Sequence, residues 1–239
     1  MCLALFAYDA HPEFRLVFAA NRDELFDRPS APAAFWNDAP QIFAGRDLVK
    51  GGTWAGITRG ERFAAVTNVR DPSARRTGEL SRGLLVREFL LAGSSPEEFA
   101  RSIDRARYPS FNLLCGTVEG LFYVRDDEEG AAAVTPGVHG LSNHRLDTPW
   151  PKVELGKKRL STLLARKEIP QSTELFALLG DRTVIADELL PRTGVPLELE
   201  RALSSSFIQM PGYGTRSSTI VLWRRSGGLT LEDRTFDQP

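Results

Sequence analysis

The residue with the most chemical potential stands at position 2 of the chain. An initiator methionine before a cysteine is normally removable, and removal of Met1 would leave Cys2 as the first residue. That residue would then hold both a thiol and a free α-amine. The amine has a reference pKa of about 8, so it is partly neutral at physiological pH and can take the thiol's proton. One residue would supply nucleophile and base. The alternative is a small apolar residue at the start of a buried strand, the usual setting of a free cysteine.

A second polar element, Asn21-Arg22-Asp23-Glu24, closes the apolar run LVFAA. If this run pairs with the first strand in an antiparallel hairpin, its end lies beside Cys2. Asp23 could then hold the α-ammonium or orient the amine. Arg22 could balance charge or grip a substrate carboxylate bidentately. An ordinary polar loop with an Arg–Asp pair is the competing description. Asn68, at the end of FAAVTN, and Asn143, in GLSNHRLDTPW, are candidate hydrogen-bond donors to a developing oxyanion. Each is also a common turn residue. The stretch GYGTRSST at 212–219 sets Arg216 among glycines and hydroxyls, as a substrate contact or as a turn into a core strand.

Other features point to less chemistry. Arg70, Arg75, Arg76 and Arg82 make a basic stretch that reads as a solvated loop or as a clamp on an anionic ligand. Gly51-Gly52-Thr53-Trp54 reads as a tight turn with a core tryptophan. His11, His139 and His144 lack metal-ligand spacing, so no metal site is expected. Neither standard phosphate-binding glycine loop occurs.

These residues need strands to hold them. Residues 2–9 and 14–21 are nearly continuous apolar runs, which predicts strands covered on both faces. Further strands are expected at 53–58, 62–69, 111–117, 120–125, 132–135 and 138–142, with a closing hairpin of 217–224 and 229–236. Helices are expected at 79–92, from Ser95-Pro96-Glu97-Glu98 onward, at 151–166 and at 173–180. Residues 184–204 read as loop with short helical pieces. Strands and helices come in blocks without regular βαβ alternation, which disfavours a doubly wound parallel sheet. The pattern predicts an α+β domain of two mostly antiparallel sheets packed together and covered outside by helices. No linker, repeat or low-complexity tract interrupts it, so residues 1–239 are read as one domain.

Composition excludes several classes. Apolar residues make up 42% and charged residues 26%, with a formal net charge of -1. Such a balance gives no electrostatic pull toward nucleic acid. No stretch approaches the roughly 20 apolar residues of a membrane span, and the N-terminus lacks the basic region of a secretory signal. Two cysteines, Cys2 and Cys115, make no disulfide framework, and a reducing cytoplasm is the expected compartment.

The landmarks MC, AANRDE, RPS, FW, GGTWAGI, TN, RGLLVREFL, FNLL, GLSN, TPW and PGYGTRSSTI run in order from residue 1 to about 222. In that combination they resemble the NRDE family, also called transport and Golgi organisation protein 2. The resemblance implies the N-terminal-nucleophile hydrolase fold, a four-layer αββα sandwich. Within that superfamily the choloylglycine hydrolase and penicillin V acylase group is similar in layout. It implies Cys2 as nucleophile, Asp23 beside it, Asn68 and Asn143 on the oxyanion side, and a late arginine at Arg216. One departure is visible: the arginine expected a few positions before the aspartate is replaced by Ala20, and Arg22 adjoins Asp23 instead. Adjacent strand residues face opposite sides, so the two share a pocket only where the strand has ended.

Two functions follow as expectations. The first is hydrolysis of a C–N amide bond of a small amphipathic substrate, with Cys2, Asp23, Asn68 and Asn143 catalytic and Asn21, Arg22 and Arg216 binding substrate. No cofactor is required for it. The second is non-enzymatic binding and trafficking of haem or an acyl-CoA lipid in the same cleft. The family resemblance associates such proteins with Golgi organisation, haem trafficking and lipid homeostasis.

Overall fold

The computed structural model describes residues 2–70, 77–166 and 168–237, with Cys2 described by its backbone alone. The chain runs β1 (Cys2–Tyr8), β2 (Phe14–Leu25), β3 (Ser30–Trp36), β4 (Ala39–Asp47), β5 (Ala55–Thr58), β6 (Phe63–Asn68), α1 (Arg82–Leu91) and α2 (Pro96–Ser102). It continues through β7 (Phe111–Thr117), β8 (Gly120–Arg125), β9 (Ala132–Ala133), β10 (Gly137–Leu141), α3 (Pro151–Leu164), α4 (Ser172–Leu179) and α5 (Leu197–Ala202). It closes with β11 (Gln209–Met210), β12 (Tyr213–Arg224) and β13 (Leu229–Thr235).

Two antiparallel sheets result. One is ordered β10-β1-β2-β12-β11 with β13 also paired to β12; the other is ordered β3-β4-β5-β6-β7-β8-β9. The apolar runs explain the layering. In β1, Leu3, Leu5 and Ala7 pack against α3 and α4, while Ala4 and Phe6 face the second sheet. Every one of these positions is buried, which is why the run does not alternate with polar residues. Leu85, Val86, Phe89 and Leu90 of α1 cover the outer face of the second sheet, with Phe99 of α2. The layers are therefore helices, sheet, sheet, helices. Among the described residues, no helix is long and apolar enough to cross a membrane.

Local chemistry sets the element ends as expected at α2. Ser95 and Glu98 form a reciprocal capping box, and Pro96 occupies the first turn. Two expectations are corrected and one unforeseen hairpin appears. β2 runs to Leu25, so Asn21-Arg22-Asp23-Glu24 lies within the strand; pairing with β12 through Tyr213↔Leu25 carries it past the apolar run. The first long helix begins at Arg82, capped by Ser81. The β3–β4 hairpin is not among the expected strands; β3 is an edge strand whose Pro32, Ala34 and Phe35 are exposed, and an edge tolerates Pro32.

Candidate functional site

The two carboxamides expected at an oxyanion come together. Asn68 ends β6 and lines a cleft of about 480 Å³, with Arg22, Asp23, Thr53, Trp54 and Tyr213. Asn143 follows β10 and is fully buried; its Nδ2 donates to Asn68 Oδ1 at 2.8 Å and to the Asn68 carbonyl at 3.3 Å. Hydrogen bonds bring the segments together. Thr67 Oγ1 donates to the Ser142 carbonyl at 3.1 Å, and Asn112 Nδ2 donates to the His144 carbonyl at 2.9 Å. Of the two, Asn68 lines the cleft and Asn143 stands behind it.

Asp23 lies one residue beyond Arg22, and Arg22 is the register partner of Cys2. The Asp23 side chain is 4% exposed, and Thr215 Oγ1 donates to its Oδ1 at 2.7 Å. Burial raises this carboxyl above the usual range. The charges of Lys152 and Arg70 and the Thr215 hydroxyl pull the other way without reversing it. Lys152 is itself buried, its Nζ donating to the Leu203 carbonyl at 2.9 Å.

Because β2 continues, Arg22 and Asp23 do face opposite sides of the sheet. Both nonetheless line the cleft. Arg22 is 7% exposed, its Cζ 4.6 Å from the centre of the Trp54 ring. Trp54 Nε1 donates to Thr219 Oγ1 at 3.2 Å, and that hydroxyl donates to Asp233 at 2.6 Å. Trp54 is thus a floor for Arg22 as well as a packing residue.

Asn21 and Arg216 are engaged elsewhere. Asn21 Nδ2 donates to the carbonyls of Leu179 (2.9 Å) and Ser206 (2.8 Å), and Ser218 Oγ donates to its oxygen at 2.6 Å. These bonds tie β2 to the helical layer. Arg216 sits at a bulge of β12 between Thr215 and Ser217, and its guanidinium donates to the carbonyls of Leu25 and Phe26.

The basic stretch divides. Arg70 is buried, not solvated: Nη1 meets Glu200 Oε2 at 2.8 Å and Nη2 donates to Asn143 Oδ1 at 3.3 Å. Arg82 lines the cleft and donates to the Ser110 carbonyl at 3.3 Å. Arg75 and Arg76 lie outside the described residues, as do Met1 and the Cys2 side chain. Arg28 and Lys50 add positive charge to the cleft wall, and Glu24, Asp47 and Glu79 add negative charge. Arg28 is held by Asp47 at 2.6 Å. The second cysteine, Cys115, is buried in the outer core, where burial pushes its thiol up to about 12. It is a neutral packing residue. Among the described residues, no three His, Cys, Asp or Glu side chains gather to hold a metal ion.

A family model described as Transport and Golgi organisation 2 matches residues 1–238. The chain belongs to the transport and Golgi organisation 2 family. It is 32% identical over 258 residues to a human Transport and Golgi organization protein 2 homolog, covering 99% of this chain and 93% of that one. The Bos taurus homolog is 31% identical over 260 residues, with the same coverage. Among solved structures, a Caenorhabditis elegans ortholog of N-acylethanolamine-hydrolyzing acid amidase superposes with a TM-score of 0.56. At 13% identity, over 92% of each chain, that likeness shows an N-terminal-nucleophile hydrolase fold and no more.

In this transport and Golgi organisation 2 family chain, sequence reading missed Thr215, Lys152 and Glu200. Thr215 stands directly across the sheet from Asp23, 192 residues away in sequence. Lys152 and Glu200 sit in helices whose sequences carry no sign of which charged residue turns inward. The one available signal was Arg70, two residues beyond Asn68, read instead as part of a loop.

Proposed function

We propose that the cleft is the active site of a cysteine N-terminal-nucleophile amidohydrolase acting on the C–N amide bond of a small amphipathic molecule. One observation supports the reading: the β1–β2 register pairs the Cys2 backbone with Arg22, and Arg22 lines a cleft together with Asp23 and Asn68. After Met1 is removed, the Cys2 α-amine takes the thiol proton and the thiolate attacks the amide carbon. The carbonyl oxygen becomes an oxyanion, met by the Asn68 carboxamide. Collapse breaks the C–N bond, and the leaving amine takes the proton from the α-ammonium, leaving a thioester on Cys2. The same α-amine then deprotonates water, which cleaves the thioester to a carboxylic acid and the free thiol. Asp23 orients the α-amine, and Arg22 on Trp54 holds an anionic group of the substrate. A free thiol nucleophile suits a reducing, cytoplasmic setting.

A second reading rests on the cationic side chains of the wall, Arg22, Arg28, Lys50 and Arg82. They suit the carboxylates of haem or the phosphates of an acyl-CoA, bound without turnover. One experiment separates the two. Protein with its mature N-terminus is incubated with p-nitrophenyl butyrate, and intact mass is recorded alongside p-nitrophenolate release. Hydrolase chemistry gives a butyryl adduct on Cys2 that Cys2→Ala abolishes and Asn68→Ala slows by about 10²–10³-fold. Met1 retained in protein from its own host, or acylation surviving Cys2→Ala, refutes the amidohydrolase. A haem absorbance shift unaffected by Cys2→Ala favours the binder.

A further inference from the structure

A carboxamide presents a donor or an acceptor depending on which way its plane is turned, and the two orientations have nearly the same shape. An oxyanion is stabilised only by the NH2 end. Something must therefore fix the turn of Asn68, and the fixing group has to be one that cannot itself reverse.

Arg70 is such a group, because a guanidinium only donates. Its Nη2 lies 3.3 Å from the Asn143 carboxamide oxygen, and its backbone N–H donates to the Asn143 carbonyl at 2.6 Å. A donor at that place, joined by the Ser142 hydroxyl at 3.3 Å, turns the Asn143 oxygen toward Arg70 and its NH2 away, where the Asn68 backbone carbonyl also accepts at 3.3 Å. That NH2 meets Asn68 Oδ1 at 2.8 Å, which turns the Asn68 oxygen inward and its own NH2 outward. Among the described residues the Asn68 NH2 has no hydrogen-bond partner, and Asn68 lines the cleft. Arg70 is held in its turn. Glu200 Oε2 accepts from Arg70 Nη1 at 2.8 Å, and Glu200 Oε1 accepts from the Thr193 backbone N–H at 2.9 Å and from the Thr193 hydroxyl. Arg70 and Glu200 are 7% and 4% exposed, so water does not compete for either.

We propose that the buried Arg70–Glu200 pair is a positioning device that sets the polarity of the oxyanion donor: through Asn143 it holds the NH2 of Asn68 toward the cleft. This inference rests on the amidohydrolase reading. Neither Arg70 nor Glu200 touches substrate; Asn143, whose amide hydrogens are spent on Asn68, transmits the orientation.

The test compares two reactions of Cys2 in the full-length protein with its mature N-terminus. Acylation by p-nitrophenyl butyrate passes through a tetrahedral oxyanion. Alkylation by iodoacetamide displaces iodide directly and forms none. Cys115 is buried, so alkylation of the native protein reports Cys2. Arg70→Met with Glu200→Leu replaces a buried ion pair by an apolar one, a change that commonly keeps a fold. Asn143→Asp needs no change of shape; its acceptor-only carboxylate draws the Asn68 NH2 inward and turns the oxygen to the cleft. Both variants are expected to slow acylation by about 10–100-fold, in kcat rather than KM, with alkylation unchanged within about twofold. Acylation of both variants at the parental rate overturns the inference and leaves the hydrolase standing. Acylation and alkylation falling together also overturn it, since that marks a purely structural role. A parent that is alkylated at Cys2 and never acylated overturns the hydrolase reading and the inference with it.

Discussion

The chain after β10, which carries Asn143, is fastened by charged contacts as well as by the hydrogen bonds that bring Asn143 to Asn68. His139 Nδ1 lies 2.7 Å from Asp147 Oδ2, while Asp147 Oδ1 accepts from the Gly140 backbone N–H at 2.9 Å and faces Lys157 Nζ at 3.0 Å. Burial by itself would raise the Asp147 carboxyl; the His139, Gly140 and Lys157 contacts reverse that and hold it at about 2, against an ordinary 3.8. That depression corresponds to about 2–3 kcal/mol of folded-state stability, at about 1.4 kcal/mol per pH unit. The side chain is 34% exposed, and solvent screening reduces the figure to about 1–2 kcal/mol. Asp147→Asn isolates this charge term. Asp147 has φ +57°, a conformation asparagine also tolerates, so the substitution adds no backbone strain. The expected result near pH 5.5 is a melting temperature lower by roughly 2–8 °C. A carboxyl with a depressed folded pKa stabilises above its unfolded value and loses that stability as pH falls. The parent's advantage should therefore shrink between pH 3.8 and about 2. On the alkaline side, the His139 partner is raised above 6.5, chiefly by its hydrogen bond to Asp147, so its share disappears as pH climbs through that raised value. Thermal melts followed by circular dichroism across pH 2–8 measure both limbs. Parent and variant curves that run parallel at every pH would sink the argument.

Asp23 carries the opposite sign. Its folded carboxyl is raised by burial, so the unfolded chain gives up the proton first and the parent loses stability as pH climbs through the raised value. Asp23→Asn should therefore melt higher than the parent at pH 7 and converge with it toward pH 4; a variant less stable at neutral pH contradicts this. Gly52→Ala should destabilise by about 1–3 kcal/mol, since its new Cβ would lie 2.5 Å from the Gly83 carbonyl oxygen, where the turn before β5 abuts the start of α1. Urea unfolding checks it, and an unchanged midpoint would show that α1 moves aside freely.

Much of the framework was written along the chain. Covered strands, helix positions and the α2 cap depend on spacing and near neighbours, which local sequence carries. Asn68 and Asn143 stood out by type at or just after strand ends, and their side chains do meet. What sequence alone did not decide was which way each polar residue turned. Arg22 and Asp23 are adjacent, yet one rests on Trp54 and the other faces Thr215 and two buried cations. Asn21 and Arg216 look like ligand contacts by composition and are instead drawn into β2–helix and β12–turn bonds. Arg70 looks like loop charge and is buried against a glutamate 130 residues away. The reason is physical: periodicity reports whether a position is covered, but a buried charge is settled by the partner that compensates it, and those partners meet only when the sheets and helices close.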